Sequence, residues 1–357
     1  MRRVRPLLVV PAAVLALAAV GCGSDDGGGA SGAGPTVAVT TSLLGDVVEE
    51  MVGDQAEVVV LMPPGADPHQ TSLSAQQAAE VREADALVTN GGGFEEGMLD
   101  GLEAAESDGV PTYEALEAVE PLEATAHAHE DGEHVGDEEH ADEGEGEHAG
   151  DEEHADEGEH EGEGEHAGDE EHAEGEHDHG DVDPHFFTDP ARMAVAAEGI
   201  AEFLGTEVPA LDTEAFRGSA AAEVAALEAL DAEVEDVLAA VPAEDRKLVT
   251  NHEVFGYFAD RYGFEVVGAV VPGGSTGAEP SAGELDELAS TLEAEGVPAI
   301  FADVSSPESL SDALASEVGD VEVVALYTES LGEEGSDGET YDAMVRTNAE
   351  RIVDALT

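Results

Sequence analysis

The sequence predicts an α/β protein of two lobes, each a parallel sheet flanked by helices, joined by one long helix. Two observations carry the prediction. Short β-branched runs alternate with stretches of helical apolar spacing, the pattern of parallel βαβ units, and this series occurs twice. Between the two series lies Thr213–Ala240, where Ala, Leu and Val recur at three- and four-residue spacing among glutamates without a proline. As a helix it would span about 40 Å at 1.5 Å per residue.

In the first series the strands are Thr36–Thr40 (TVAVT), Glu57–Met62 (EVVVLM) and Ala86–Thr89 (ALVT), with helices over Leu43–Val52 and Leu73–Ala84. Asp189-Pro190 is an N-terminal signal for a helix over Ala191–Leu204, and Pro242 ends the long helix. The second series runs strand Lys247–Thr250, helix Val254–Tyr262, strand Phe264–Val271 and helix Ala282–Glu295. It continues with strand Ala299–Ala302, helix Glu308–Glu317, strand Glu322–Tyr327 and helix Thr340–Leu356.

Two segments stand outside this plan. Arg2, Arg3 and Arg5 precede an apolar run from Leu7 to Val20 that closes on Gly21-Cys22, a signal-peptide pattern too short for a stable span. The end of that run resembles the lipobox of bacterial lipoproteins, with Ala19 where leucine is commoner. The resemblance implies acylation of Cys22, the sole cysteine, and a flexible tether to the outer face of the cell membrane. The second segment, Glu123–Asp181, holds 27 acids and 11 histidines with no Lys or Arg. Its run EGEGEHAGDEEHA occurs at 143–155 and again at 161–173. With so few apolar residues to offset ordering entropy it is expected to be a disordered loop.

Composition excludes several functions. The 357 residues carry 85 Asp and Glu against 11 Lys and Arg, a formal charge of −74, which repels nucleic-acid phosphate. Lys247 is the only lysine, so no basic patch for anionic lipid is available. One cysteine makes neither an internal disulfide nor a Cys-based zinc knuckle.

Of 14 histidines, only His69, His185 and His252 lie outside the loop. His69 follows the strand 57–62, His252 follows the strand 247–250, and His185 precedes a helix in DPHFFTDP. Ligands gather outside the carboxyl ends of strands in open parallel sheets. Asp303 and Glu329 leave the ends of the last two strands by the same logic. Three imidazoles and a carboxylate complete a tetrahedral shell suited to Zn²⁺.

The spans GADPH, DPHFFTDP, NHEVFGYFADRYGF, STGAEPSAGEL and LYTESLG, with the trailing TY and MVRTNAERI, fall in one family's order. They resemble the metal-binding solute receptors of bacterial ABC importers for zinc and manganese. The resemblance implies two lobes bridged by a rigid helix, with the metal in the inter-lobe cleft and delivery to an ABC permease and its ATPase. It implies His69, His185, His252 and Glu329 as ligands. The family's usual aspartate is replaced by the longer Glu329, which leaves three outcomes open: it reaches the metal, swings out and leaves a water, or yields to another carboxylate. Manganese receptors of this family carry a carboxylate where this chain has His252. A nitrogen-rich set favours Zn²⁺ over Mn²⁺, so Zn²⁺ is the expected cargo, with Mn²⁺ or iron as the alternative.

The expected layout is a signal peptide over 1–21, a lipid-anchored tether over 22–35, a first lobe over 36–210 containing the loop 123–181, a linking helix over 211–241 and a second lobe over 242–357. His-rich acidic loops recur in zinc-type members of the family. This implies auxiliary sites at His127, His129, His134, His140, His148, His154, His160, His166, His172, His177 and His179, with a solvated spacer as the plain alternative. A monomer without enzymatic activity is expected. The rivals are a surface metal buffer or adhesin, and a zinc hydrolase, since three histidines with an open position is also a catalytic arrangement; no HExxH occurs.

Overall fold

The computed structural model describes residues 34–124, 182–271, 273, 276, 280–304, 309–319 and 321–357. The expected signal peptide, Cys22 and the histidines from His127 to His179 lie outside the described residues. Glu123, which the sequence assigns to the loop, instead pairs with Val182 in an isolated antiparallel bridge.

The first sheet holds β1 (Thr36–Val39), β2 (Glu57–Val60), β3 (Ala86–Thr89) and β4 (Thr112–Glu114) in the order β2-β1-β3-β4, all parallel. The second holds β5 (Lys247–Thr250), β6 (Glu265–Ala269), β7 (Ala299–Asp303) and β8 (Glu322–Leu326) in the order β6-β5-β7-β8, again all parallel. One topology thus occurs twice. In each sheet the order reverses between the first and third strands, the switch point beyond whose carboxyl ends ligands collect.

The helices are α1 (Ser42–Val52), α2 (Ala75–Glu83), α3 (Leu99–Ser107), α4 (Pro190–Glu207), α5 (Glu214–Leu238), α6 (Gly256–Tyr262), α7 (Ala282–Glu295), α8 (Ser309–Val318) and α9 (Tyr341–Leu356). Their starts are written locally. Thr41, Thr213 and Thr340 cap α1, α5 and α9 through their hydroxyls, and Ser74 and Ser281 form capping boxes with Gln77 and Glu284. Asp189 caps α4, with Pro190 as its first residue.

Strand alternation sorts the core into layers. Val37, Val39, Ala86 and Val88 face inward, as do Leu248, Ala299 and Phe301 of the second sheet. These inner faces share one core with Leu44, Phe186, Leu227, Leu230, Tyr257, Tyr341 and Ile352. The alternate residues Ala38 and Leu87 pack outward with Met98 and Leu102, and Val249 and Ile300 pack outward with Leu288 and Leu314. Both sheets are therefore covered on both faces, as parallel sheets require. Helix α5, about 37 Å long at 1.5 Å per residue, packs against α1, α4 and α9.

The described basic side chains are occupied. Arg82, Arg192, Arg217, Lys247, Arg261, Arg346 and Arg351 each pair with a carboxylate. Arg246 donates to the carbonyls of Leu238, Val241 and Tyr262, closing the ends of α5 and α6. Surface ion pairs contribute only about 0–1 kcal/mol each, whereas unscreened acids repel one another throughout the chain. Thermal unfolding followed by circular dichroism is therefore expected to move several degrees higher between about 0.05 M and 1 M NaCl, as the Debye length falls from over 10 Å to about 3 Å. An unchanged or lower midpoint would contradict the dominance of like-charge repulsion.

Candidate metal centre

The chain ends three strands at one place. Beyond β2, the Asp67 carboxylate accepts from the His69 amide (2.9 Å), turning the segment so that the imidazole points inward. Beyond β5, the His252 carbonyl accepts from the Thr250 hydroxyl (2.7 Å) and the Val254 amide (2.9 Å). Beyond β8 comes Glu329. His185 arrives from the segment before α4, just ahead of a single 3-10 turn, Phe186–Thr188, with the Thr188 hydroxyl donating to its carbonyl (3.0 Å). All four side chains are buried. Phe94 packs edge-on against both His69 and His185, and Phe187 against His185, so aromatic edges wall the site.

The expected residues come together. Imidazole centroids are 5.7 to 6.3 Å apart. Glu329 Oε1 lies 2.7 Å from His69 Nε2, 3.1 Å from His252 Nε2 and 3.3 Å from His185 Nε2. One atom from each of the four groups falls within 4.8 Å of all the others. A tetrahedral ion with bonds of about 2.0–2.1 Å needs ligand atoms about 3.3–3.4 Å apart, so only small movements separate this cluster from a closed shell. The donor chemistry fits a cation as well. His185 Nε2, His252 Nε2 and Glu329 Oε2 are buried without a hydrogen-bond partner among the described residues, a state that normally costs about 1–3 kcal/mol per group.

Asp303 stays outside the cluster. It is buried at the end of β7 and accepts a hydrogen bond from the Thr328 hydroxyl, next to Glu329. Glu329 itself reaches the three imidazoles.

Two carboxylates that sequence reasoning missed stand behind the imidazoles. Glu96 accepts from His69 Nδ1 and Asp183 from His185 Nδ1, each at 2.7 Å. Because a carboxylate only accepts, both rings carry a proton on Nδ1 and turn Nε2 toward the cluster, the orienting device of histidine metal sites. Burial works against charge on His69, but the hydrogen bonds it donates to Glu329 and Glu96 overcome it and raise its pKa to about 10. His185 likewise rises to about 9, burial being outweighed by Asp183 and Glu329. Burial disfavours the Glu329 anion, yet the imidazoles of His252, His185 and His69 hold its carboxyl well below the usual range.

The neighbouring Glu95 is buried for a different purpose. It accepts from the Thr40 hydroxyl (2.6 Å) and the Asn90 amide (2.6 Å), stitching the ends of β1 and β3 together. Gly91, Gly92 and Gly93, all at positive φ, make the turn that returns Glu95 and Glu96 to the strand ends. A Gly-Gly-Gly-Phe-Glu-Glu run after a strand and an aspartate two residues before a histidine were the available signals.

Comparison with known proteins finds relatives over nearly the whole length of the chain. The family described as "ZnuA: Zinc-uptake complex component A periplasmic" matches residues 37–355. The manganese-binding lipoprotein MntA of Halalkalibacterium halodurans is 25% identical over 349 residues, covering 96% of each chain. The zinc-binding protein TroA of Treponema pallidum is 28% identical, covering 90% of this chain and 89% of that one. The solved structure of that periplasmic zinc-binding protein superposes with a TM-score of 0.69 at 26% identity, over 91% of this chain and 99% of the other.

Proposed function

The chain belongs to the ZnuA family of zinc-uptake complex component A proteins, and from that premise we propose that it is an extracytoplasmic receptor that captures Zn²⁺ for an ABC permease and its ATPase. The observation that carries the reading is the buried convergence of His69, His185, His252 and Glu329. We take these four as the ligands of the transported ion, with β1–β4 and β5–β8 as the two lobes and α5 as the helix linking them. Three nitrogens and one oxygen favour Zn²⁺ over Mn²⁺ on ligand softness and on the Irving–Williams order. Relatives are named for manganese as well as for zinc, so cargo is the point to test.

The ion is bound and passed on unchanged. In this reading the carboxylates of Glu96 and Asp183 fix two rings before the ion arrives, so less ordering entropy opposes capture. Cys22 anchors the receptor by its acyl chains, in keeping with the lipoprotein names of relatives, and the histidines between His127 and His179 raise the local zinc concentration.

The test is metal analysis of the purified protein, followed by competition between Zn²⁺ and Mn²⁺ at equal concentration. One equivalent of zinc should resist displacement by manganese once residues 125–181 are removed. Retention of manganese in place of zinc would transfer the assignment to a manganese receptor. Normal growth of a strain lacking the protein at scarce zinc would favour a surface buffer instead.

A further inference from the structure

The two chain segments that flank residues 125–181 are tied to each other and to α6. The Asp183 amide donates to the Leu122 carbonyl (2.9 Å), next to the Glu123–Val182 bridge. The Tyr257 hydroxyl closes the ring: it accepts from the Leu122 amide (3.0 Å) and donates to the Asp183 carbonyl (2.8 Å). Tyr257 is fully buried, and the Arg192 guanidinium lies over its ring at 4.8 Å, held in turn by Asp189 and Asp260. From Asp183 the chain of contacts continues inward, its Oδ1 accepting from the His185 amide (2.9 Å) and from His185 Nδ1 (2.7 Å). Space is reserved for that carboxylate, since a Cβ on Gly256 would lie 2.4 Å from Asp183 Oδ2.

We propose that Tyr257 is a positioning residue for the metal centre: its hydroxyl, brought by α6, fixes the Asp183 backbone so that the Asp183 carboxylate holds His185 with Nε2 facing the ion. The proposal rests on His185 being a metal ligand. Every hydrogen-bonding capacity of the hydroxyl that this ring needs is used, one accepted and one donated. Phenylalanine fills the same volume but pairs with neither Leu122 nor Asp183, leaving the turn before His185 without its anchor to α6.

The experiment uses the full chain and the variants Tyr257→Phe, Asp183→Asn and both together, with zinc affinity measured by competition against a chelator. Outer-shell partners of metal-bound histidine are worth about 10–100-fold in affinity, so Tyr257→Phe is expected to raise the Kd about tenfold and Asp183→Asn at least as much. Because the tyrosine acts through the aspartate, the double variant should stay within about threefold of Asp183→Asn alone. In the zinc-free protein, ¹⁵N NMR should show the His185 Nδ1–H signal broadened or lost in Tyr257→Phe. An unchanged Kd in Tyr257→Phe overturns the proposal, and so does a further tenfold loss in the double variant, which would mark a general structural role. If wild type binds no zinc, the receptor reading fails, while the His185 signal still decides whether Tyr257 positions the ring.

Discussion

Replacing His252 with alanine is expected to weaken zinc binding by two to three orders of magnitude, with the same loss for His69→Ala and His185→Ala. Structural four-ligand zinc sites bind with about 10–16 kcal/mol in total; an equal quarter of that is about 2.5–4 kcal/mol, or roughly 70- to 900-fold. His252 is the sharpest test because neither of its ring nitrogens has a hydrogen-bond partner among the described residues, although the ring is fully buried. Truncation there removes, besides the ligand nitrogen, only the 3.1 Å contact with Glu329, itself a member of the cluster, so a loss of affinity reports on the metal centre. Competition against a chromophoric chelator measures it, and a loss under tenfold would remove His252 from the ligand set.

Zinc affinity is expected to climb steeply with pH, by up to about a hundredfold per unit below pH 9, with about two protons released per ion near pH 7. The sign follows from the histidines. His69, raised to about 10, and His185, raised to about 9, are protonated at neutral pH in the metal-free protein, while Glu329 is ionised. Zinc needs both Nε2 lone pairs and must displace those protons. In the metal-free protein the same raised pKa values contribute stability that is complete below about pH 6.5 and lost as pH rises through about 9 and 10. Unfolding midpoints with and without zinc should therefore diverge as pH increases. Calorimetric titration in buffers of different ionisation enthalpy counts the protons, and a heat independent of buffer would refute the exchange.

The parts of the fold that repeat a period were legible. Strands β3 and β5 and helix α7 have the predicted bounds, because β-branched runs and a Ser–Glu capping box mark them in one short window. Elsewhere the ends shifted by a few residues, as at Thr213, which caps α5 instead of beginning it. Strand β4 and helix α3 were missed. Three residues, Thr112–Glu114, are too few to show alternation, and α3 contains Gly101, which lowers helix propensity but lets Leu73 approach where a Cβ would lie 2.6 Å away. The three histidines were found by their scarcity, His69 and His252 also by their places after strands, and Glu329 by its place after the last strand together with the family resemblance. Glu96 and Asp183 were hidden because acids are everywhere in this chain, and only the fold distinguishes a carboxylate aimed at an imidazole from one facing water.

Each member of the cluster arrives on a separate stretch of backbone, the first at residue 69 and the last at 329. No segment shorter than residues 69–329 contains all four, and an unfolded chain has nothing of their geometry. Cargo that recognises only the finished molecule also protects it by mass action: zinc at a thousand times its dissociation constant would add about 4 kcal/mol to the free energy of unfolding. A receptor loaded outside the cell would thus resist heat and proteases better than an empty one, and scarcity of the ion would shorten the life of the protein that collects it.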